Sequence, residues 1–184
     1  MRKLIMAINA TPDGFCDHHA VIADDALHSF YADLLVEADT MLFGRKTFQL
    51  MDPYWPDMAK HQNGKPAEIA FAKRFVALHK IVFSGKGFHT DCPNTSVMSH
   101  LSPGEIIKLK EAPGKNIFVG SPSIVDQLTE MKLIDEFIFV MHPIIPGNGK
   151  RFFESTRLSD PAQLILRNAT PFPSGAIALF YSRV

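Results

Sequence analysis

Cysteine is scarce. Only Cys16 and Cys92 occur, far apart and with no Cys-x-x-Cys pair. They read as two free thiols of a protein in the reducing cytoplasm rather than as a disulfide framework. Excess charge is also absent, since 19 Lys and Arg balance 19 Asp and Glu and the formal net charge is zero. A chain without a net basic balance is not built for broad nucleic-acid or anionic-membrane binding. No apolar run approaches the ~20 residues of a membrane span. The opening Met1-Arg2-Lys3-Leu4-Ile5-Met6-Ala7-Ile8 has a basic start and an apolar run too short for a signal peptide, so it reads as a strand. Internal repeats, low-complexity tracts and linkers are missing. The 184 residues, 46% of them hydrophobic, therefore suit a single domain, residues 1–184, with a substantial core.

What is present alternates. Leu4–Ile8 predicts a buried strand, followed by the turn Thr11-Pro12-Asp13-Gly14-Phe15 and a long loop to about Ala23. Leu27, Phe30, Tyr31, Leu34, Leu35 and Ala38 fall on one helical face, with Asp24 and Asp25 at the start, where negative charge suits the helix dipole. Met41–Phe43 is a short strand that stops at Gly44. Asp52-Pro53-Tyr54-Trp55-Pro56 is a proline-bracketed aromatic loop, and Pro66 opens a helix through about Leu78. Strands follow at Ile81–Phe83, Ser96–Met98, Ile117–Val119 and Phe137–Met141, with helices begun by Ser102-Pro103-Gly104-Glu105 and by Pro122. Leu164–Leu166 and Ala176–Tyr181, joined by Pro171-Phe172-Pro173-Ser174-Gly175, predict a closing antiparallel pair. About eight strands and four or five helices in this order predict a three-layer α-β-α domain. Its mixed central sheet is mostly parallel with an antiparallel edge.

The densest chemistry lies at Gly44-Arg45-Lys46-Thr47, where a strand gives way to a helix at about Lys46. Helix N-terminal amides bind anions, and an Arg fork suits phosphate oxygens. Ligands of open α/β sheets bind outside the carboxyl ends of the strands. The site reading is a nucleotide phosphate, and the plain reading is a solvated basic turn. Two further strand–turn–helix junctions have the same look: Ser84-Gly85-Lys86-Gly87 and Gly120-Ser121-Pro122-Ser123.

These three junctions, in this order and spacing, resemble the dihydrofolate reductase fold. They are most similar to the branch that holds the reductase domain of bifunctional riboflavin biosynthesis proteins. Thr11-Pro12-Asp13-Gly14-Phe15 is similar to that branch's Ser-x-Asp-Gly turn. Leu133-Ile134-Asp135-Glu136 with Pro143-Ile144-Ile145-Pro146-Gly147-Asn148-Gly149 and Phe152-Phe153 is similar to its later block. The resemblance spans nearly the whole chain and implies NADPH along the carboxyl edge of the sheet. Gly44, Arg45, Lys46 and Thr47 would hold the 2′-phosphate and pyrophosphate, Ser84 and Gly85 the adenosine ribose, and Gly120, Ser121, Pro122 and Ser123 the pyrophosphate. Ser121 stands where dihydrofolate reductases carry a second glycine. No acid falls on the first-helix position, near His28, that contacts a pterin in folate-reducing members. The implied activity is hydride transfer from NADPH to a small heterocycle similar to 5-amino-6-(5-phosphoribosylamino)uracil. The alternatives are a nucleotide-binding protein without turnover and a true dihydrofolate reductase. A homodimer through the apolar strand Ala176–Tyr181 is implied as well.

Asp13 is the first candidate for the proton donor or for positioning a water, and Asp24 the second. Asp13 reads equally well as a turn former before Gly14. Phe48, Met51 and Trp55 are candidate walls of a substrate pocket, with core packing the better expectation for at least one of the helix pair. His18, His19 and His28 have no strong metal-ligand spacing, so no metal is expected. Cys16 has no evident base and is not expected to be a nucleophile.

Overall fold

The computed structural model describes residues 1–85 and 87–184, so Lys86 of the second basic turn lies outside the described residues. One sheet holds β1 (Leu4–Ala10), β2 (Ala38–Gly44), β3 (His79–Phe83), β4 (Thr95–Met98), β5 (Asn116–Val119), β6 (Glu136–Met141), β7 (Leu164–Pro171) and β8 (Ile177–Arg183). Their order across the sheet is β4-β3-β2-β5-β1-β6-β8-β7. The first six strands run parallel, and β8 is antiparallel to both β6 and β7. The helices are α1 (Asp25–Val36), α2 (Arg45–Met51), α3 (Tyr54–His61), α4 (Pro66–Ala77), α5 (Pro103–Glu111) and α6 (Pro122–Glu130).

Strand alternation sorts the core into two layers. Leu4, Met6 and Ile8 of β1 join Ile106 of α5 and Ile124, Val125 and Leu128 of α6 on one face. Ile5 and Ala7 join Ala32 and Leu35 of α1 and Phe71 and Phe75 of α4 on the other. Both faces of the parallel strands are thereby covered, which is why these strands read as unbroken apolar runs. Caps set the helix starts. Asp24 accepts the Leu27 N–H at 2.8 Å. Ser102 accepts the Glu105 N–H at 3.4 Å, and its hydroxyl donates to Glu105 Oε2 at 3.0 Å.

Three expectations change. The aromatic stretch after Asp52 is not a loop, because α3 begins at Tyr54. Pro53 sits just before the helix and Pro56 within its first turn, where no intrahelical N–H is required. With α2 and α3 separate, the described residues hold six helices rather than four or five. The strand near Ala176–Tyr181 is not an edge, since β8 is paired on both sides and β7 forms the border. A buried cation also escaped the sequence reading. Lys80, 1% exposed, donates to the carbonyls of Phe75, Val76 and Leu78 at 3.3, 3.3 and 2.9 Å and closes the end of α4.

Candidate active site

The parallel strands all point their carboxyl ends at one rim, and the junctions singled out by sequence gather there. β2 and β5 are neighbours, so their exits lie side by side. The Gly44 N–H donates to the Ser121 hydroxyl at 3.0 Å, a bond that ties one junction to the other. Ser121 is fully buried and makes no side-chain cap on α6, because its oxygen is spent on Gly44. A Cβ at Gly44 would lie 3.0 Å from Ser123 Oγ, and one at Gly120 would lie 3.0 Å from the Ala7 carbonyl. Both glycines therefore permit close approach of backbone to a neighbour. Pro122 has no N–H, and the Ile124 and Val125 amides return to the Ser121 carbonyl at 3.0 and 2.9 Å. Ser84, half-buried at the end of β3, donates its N–H to the Met98 carbonyl at 3.0 Å, and Gly85 beyond it is exposed.

Arg45 and Lys46 are exposed at the start of α2, and Thr47 is half-buried. Among the described residues neither cation forms an ion pair. The Arg45 guanidinium stands 5.1 Å over the Phe88 ring, and its Nε donates to Gln49 at 3.3 Å. Two uncompensated cations beside the Ser121–Ser123 turn are suited to an anionic ligand at this rim.

The candidate pocket residues separate. Phe48 is 1% exposed between Phe43 and Phe88, with ring centroids 5.9 and 6.0 Å away. It is a core residue and not a pocket wall. Met51 is half-buried against the same core layer. Trp55 is half-buried, 4.5 Å from the Phe71 ring and 5.8 Å from the His28 ring. His28 Nδ1 is fully buried and has no hydrogen-bond partner among the described residues.

The two acids have structural duties. Asp24 caps α1. Asp13 accepts the Thr11 hydroxyl at 2.6 Å on one carboxylate oxygen and the Gly147 N–H at 3.0 Å on the other. The Thr11 hydroxyl, helped by the Gly147 amide, holds the Asp13 carboxyl below its usual range. An ionised carboxylate with both oxygens engaged is a poor proton donor, so the geometry makes Asp13 a tie between the loops after β1 and β6. Arg151 completes that tie, stacking 4.4 Å over Phe15 and donating to the Asp13 carbonyl at 3.3 Å.

Sequence reasoning missed a polar cluster at the rim ends of β1 and β6. His142, 1% exposed, follows β6 directly. Its Nδ1 accepts the Ile22 N–H at 3.2 Å. Its Nε2 lies 3.1 Å from Asn9 Oδ1, and the Tyr31 hydroxyl donates to the same oxygen at 3.0 Å. Burial lowers the His142 pKa, with Asp24 opposing, and burial raises that of Tyr31. Both side chains are therefore held neutral. The alternation of β1 placed Asn9 on the α1 face, but no local pattern linked it to His142.

Cys16, its thiol pushed up to about 11 by burial, is not a thiolate at neutral pH. Asp17, His18 and His19 bring their ligand atoms within 4.8 Å of one another, mostly exposed, and His28 is not among them. Two concavities, of about 70 and 280 Å³, lie beside Leu158–Leu164 and between α3, α4 and Cys92, and neither is lined by a residue of the rim junctions. No helix among the described residues is long and apolar enough to cross a membrane.

A mostly parallel sheet with helices on both faces and an antiparallel β8–β7 border has the dihydrofolate reductase-like α/β fold. Residues 2–178 match the RibD C-terminal domain, and the chain belongs to that family. It is 29% identical over 185 residues to the uncharacterized protein YyaP of Bacillus subtilis (strain 168), covering 98% of this chain and 94% of that one. Among the solved structures that share the fold are two reductases. One is the diaminohydroxyphosphoribosylaminopyrimidine deaminase/5-amino-6-(5-phosphoribosylamino)uracil reductase of Thermotoga maritima. It has a TM-score of 0.69 at 17% identity, over 100% of this chain and 57% of that one. The other is the dihydrofolate reductase of Enterococcus faecalis complexed with NADP(H), with a TM-score of 0.61 at 12% identity over 98% and 96%.

Proposed function

We propose that the protein is an NADPH-dependent reductase of the riboflavin-pathway type, acting on a ribosylamino-pyrimidine-like heterocycle. Membership of the RibD C-terminal domain family supports the reaction class. The observation that carries the cofactor reading is the convergence of Gly44, Ser121 and Ser123 beside two unpaired cations at the rim. Arg45, Lys46 and Thr47 would hold the 2′-phosphate and pyrophosphate, with the Gly120–Ser123 turn on the other side and Ser84 and Gly85 near the adenosine ribose. NADPH supplies the hydride when bound. The chain's own residues orient the dinucleotide, exclude water under the loop after β1, and present the Asn9–Tyr31–His142 cluster to the substrate half. Because Asp13 is held ionised, the proton of the reduction comes from water or from the substrate's surroundings rather than from its carboxyl. We assign the protein to the cytoplasm and propose a homodimer through β7, the exposed border strand with Ile165 and Leu166 at 39% and 52% exposure.

A binding protein without turnover is the second reading, favoured by the engagement of both Asp13 oxygens. NADPH oxidation in the presence of 5-amino-6-(5-phosphoribosylamino)uracil separates the two. Titration tests the cofactor. A charge-assisted bond is worth ~1.5–3 kcal/mol, and Arg45 is exposed, so the lower end applies. Arg45→Ala is expected to weaken NADPH about tenfold and to leave NADH nearly unchanged. An unchanged ratio of the two dissociation constants refutes the 2′-phosphate assignment.

A further inference from the structure

We propose that Asn9 is the substrate-reading residue of the site, its carboxamide N–H₂ donating to a ring carbonyl oxygen of the heterocycle. The assignment rests on the reductase reading and on the directions of the hydrogen bonds. The backbone N–H of Ile22 can only donate, so the His142 Nδ1 that faces it at 3.2 Å is the unprotonated ring nitrogen. The neutral imidazole therefore carries its proton on Nε2 and donates to Asn9 at 3.1 Å. The atom of Asn9 that meets it must be the carbonyl oxygen, and the Tyr31 hydroxyl donates to that oxygen as well, at 3.0 Å. Two donors on Oδ1 fix which way the amide points. The Asn9 nitrogen then has no partner among the described residues, and it is not one of the fully enclosed unpaired atoms, so it keeps contact with solvent at the carboxyl end of β1.

Position decides which ligand meets it. Asn9 continues the Ile5–Ala7 face of β1, which packs on α1 and α4. The Ser121–Ser123 turn opens α6, which packs on the opposite face. A dinucleotide held by Arg45–Thr47 and the Ser121–Ser123 turn lies over the β2 and β5 exits. The next exits along the sheet, those of β1 and β6 where Asn9 and His142 stand, are left for the second reactant. α1 supports this half further: His28, one turn before Tyr31, sets an unpartnered Nδ1 beside Trp55. A donor held in place by the buried His142 and the half-buried Tyr31 selects an acceptor, because a ligand lacking one leaves the amide unpaired. A pyrimidinedione ring carries such oxygens.

Asn9→Asp is the test. Its carboxylate keeps an oxygen for both Tyr31 and His142 and turns the outward group from donor to acceptor, while adding a negative charge beside the buried imidazole. The probe is 5-amino-6-(5-phosphoribosylamino)uracil, titrated into protein saturated with NADP⁺, alongside separate titrations with NADPH. The variant is expected to stay folded with a lowered melting point from the added charge, to keep NADPH binding, and to bind the probe roughly ten- to a hundredfold more weakly, with turnover lost through KM. Tyr31→Phe, which loosens the amide without removing its donor, is expected to weaken the probe less. Equal probe affinity in wild type and Asn9→Asp overturns the assignment, as does a wild type that binds NADPH and not the probe. A wild type that fails to bind NADPH overturns the reductase reading itself.

Discussion

Removing the Ser121 hydroxyl should destabilise the fold and leave cofactor binding nearly intact, the reverse of what a phosphate-gripping serine would show. The hydroxyl accepts the Gly44 N–H at 3.0 Å, and both residues are buried. Ser121→Ala leaves that N–H without an acceptor, in a place where the close approach of Ser123 to Gly44 leaves little room for water. An orphaned buried donor costs ~1–3 kcal/mol. At roughly 2–4 °C per kcal/mol for a chain of this size, the midpoint should fall by roughly 2–12 °C. Ser121→Gly, the residue usual in dihydrofolate reductases, should fall by a similar amount, since it loses the same acceptor. Ser121→Thr keeps the oxygen but must fit a methyl group into a fully buried site, so it too should melt below wild type. Thermal unfolding by circular dichroism gives the midpoints, and titration gives the NADPH dissociation constants. An unchanged midpoint in Ser121→Ala, together with a tenfold or greater loss of NADPH affinity, would show that the hydroxyl serves the ligand and refute the tie between the junctions.

Two further outcomes are expected. The folded pKa of His142 lies below its ordinary value of 6.5, so the unfolded chain takes up a proton first as the pH falls. Its contribution is full above about pH 6.5 and is lost below it, so urea unfolding between about pH 7.5 and 5.5 should show a shallower decline in His142→Gln than in wild type; parallel declines would show that His142 does not titrate this way. Leu166→Lys places a charge on the exposed face of β7, and sedimentation at micromolar concentration should move from a two-chain to a one-chain species. A wild type that sediments as a single chain removes the dimer altogether.

The layered fold was legible because it depends on local signals. Apolar triplets such as Ile117-Phe118-Val119 name buried parallel strands whichever neighbour they pair with, and Ser102-Pro103-Gly104-Glu105 carries its own cap. Where the reading slipped, a residue had two allowed roles and only packing chose between them. Prolines at 53 and 56 signal a loop, yet both fit the entry of α3 once Trp55 has Phe71 to pack against. Phe48, by contrast, is open to either role, and the rings of Phe43 and Phe88 enclose it, which fills the core place expected of at least one of Phe48 and Met51. β8 is paired on both edges, by β6 and β7, although an apolar strand late in a chain reads equally well as an edge seeking a partner.

The site divides along the same line. The proposed cofactor half is written in contiguous tetrapeptides, since a strand exit, a tight turn and a helix start must follow one another in sequence. The proposed substrate half is not, because it consists of single residues brought together by the sheet order. Asn9 lies 22 positions from Tyr31 and 133 from His142, and nothing in the sequence near any of them marks the others. β1 sits between β5 and β6 in the sheet, and the ladder runs one residue past β6 as the His142 N–H donates to the Ala10 carbonyl at 2.8 Å. That register, set by the apolar pairing of β1 with β6, is what brings an imidazole to the side chain of Asn9. On the proposed assignment of Asn9, the specificity of the site depends on the packing that fixes the register. Substitutions that shift β6 against β1 should alter substrate preference before they alter cofactor affinity.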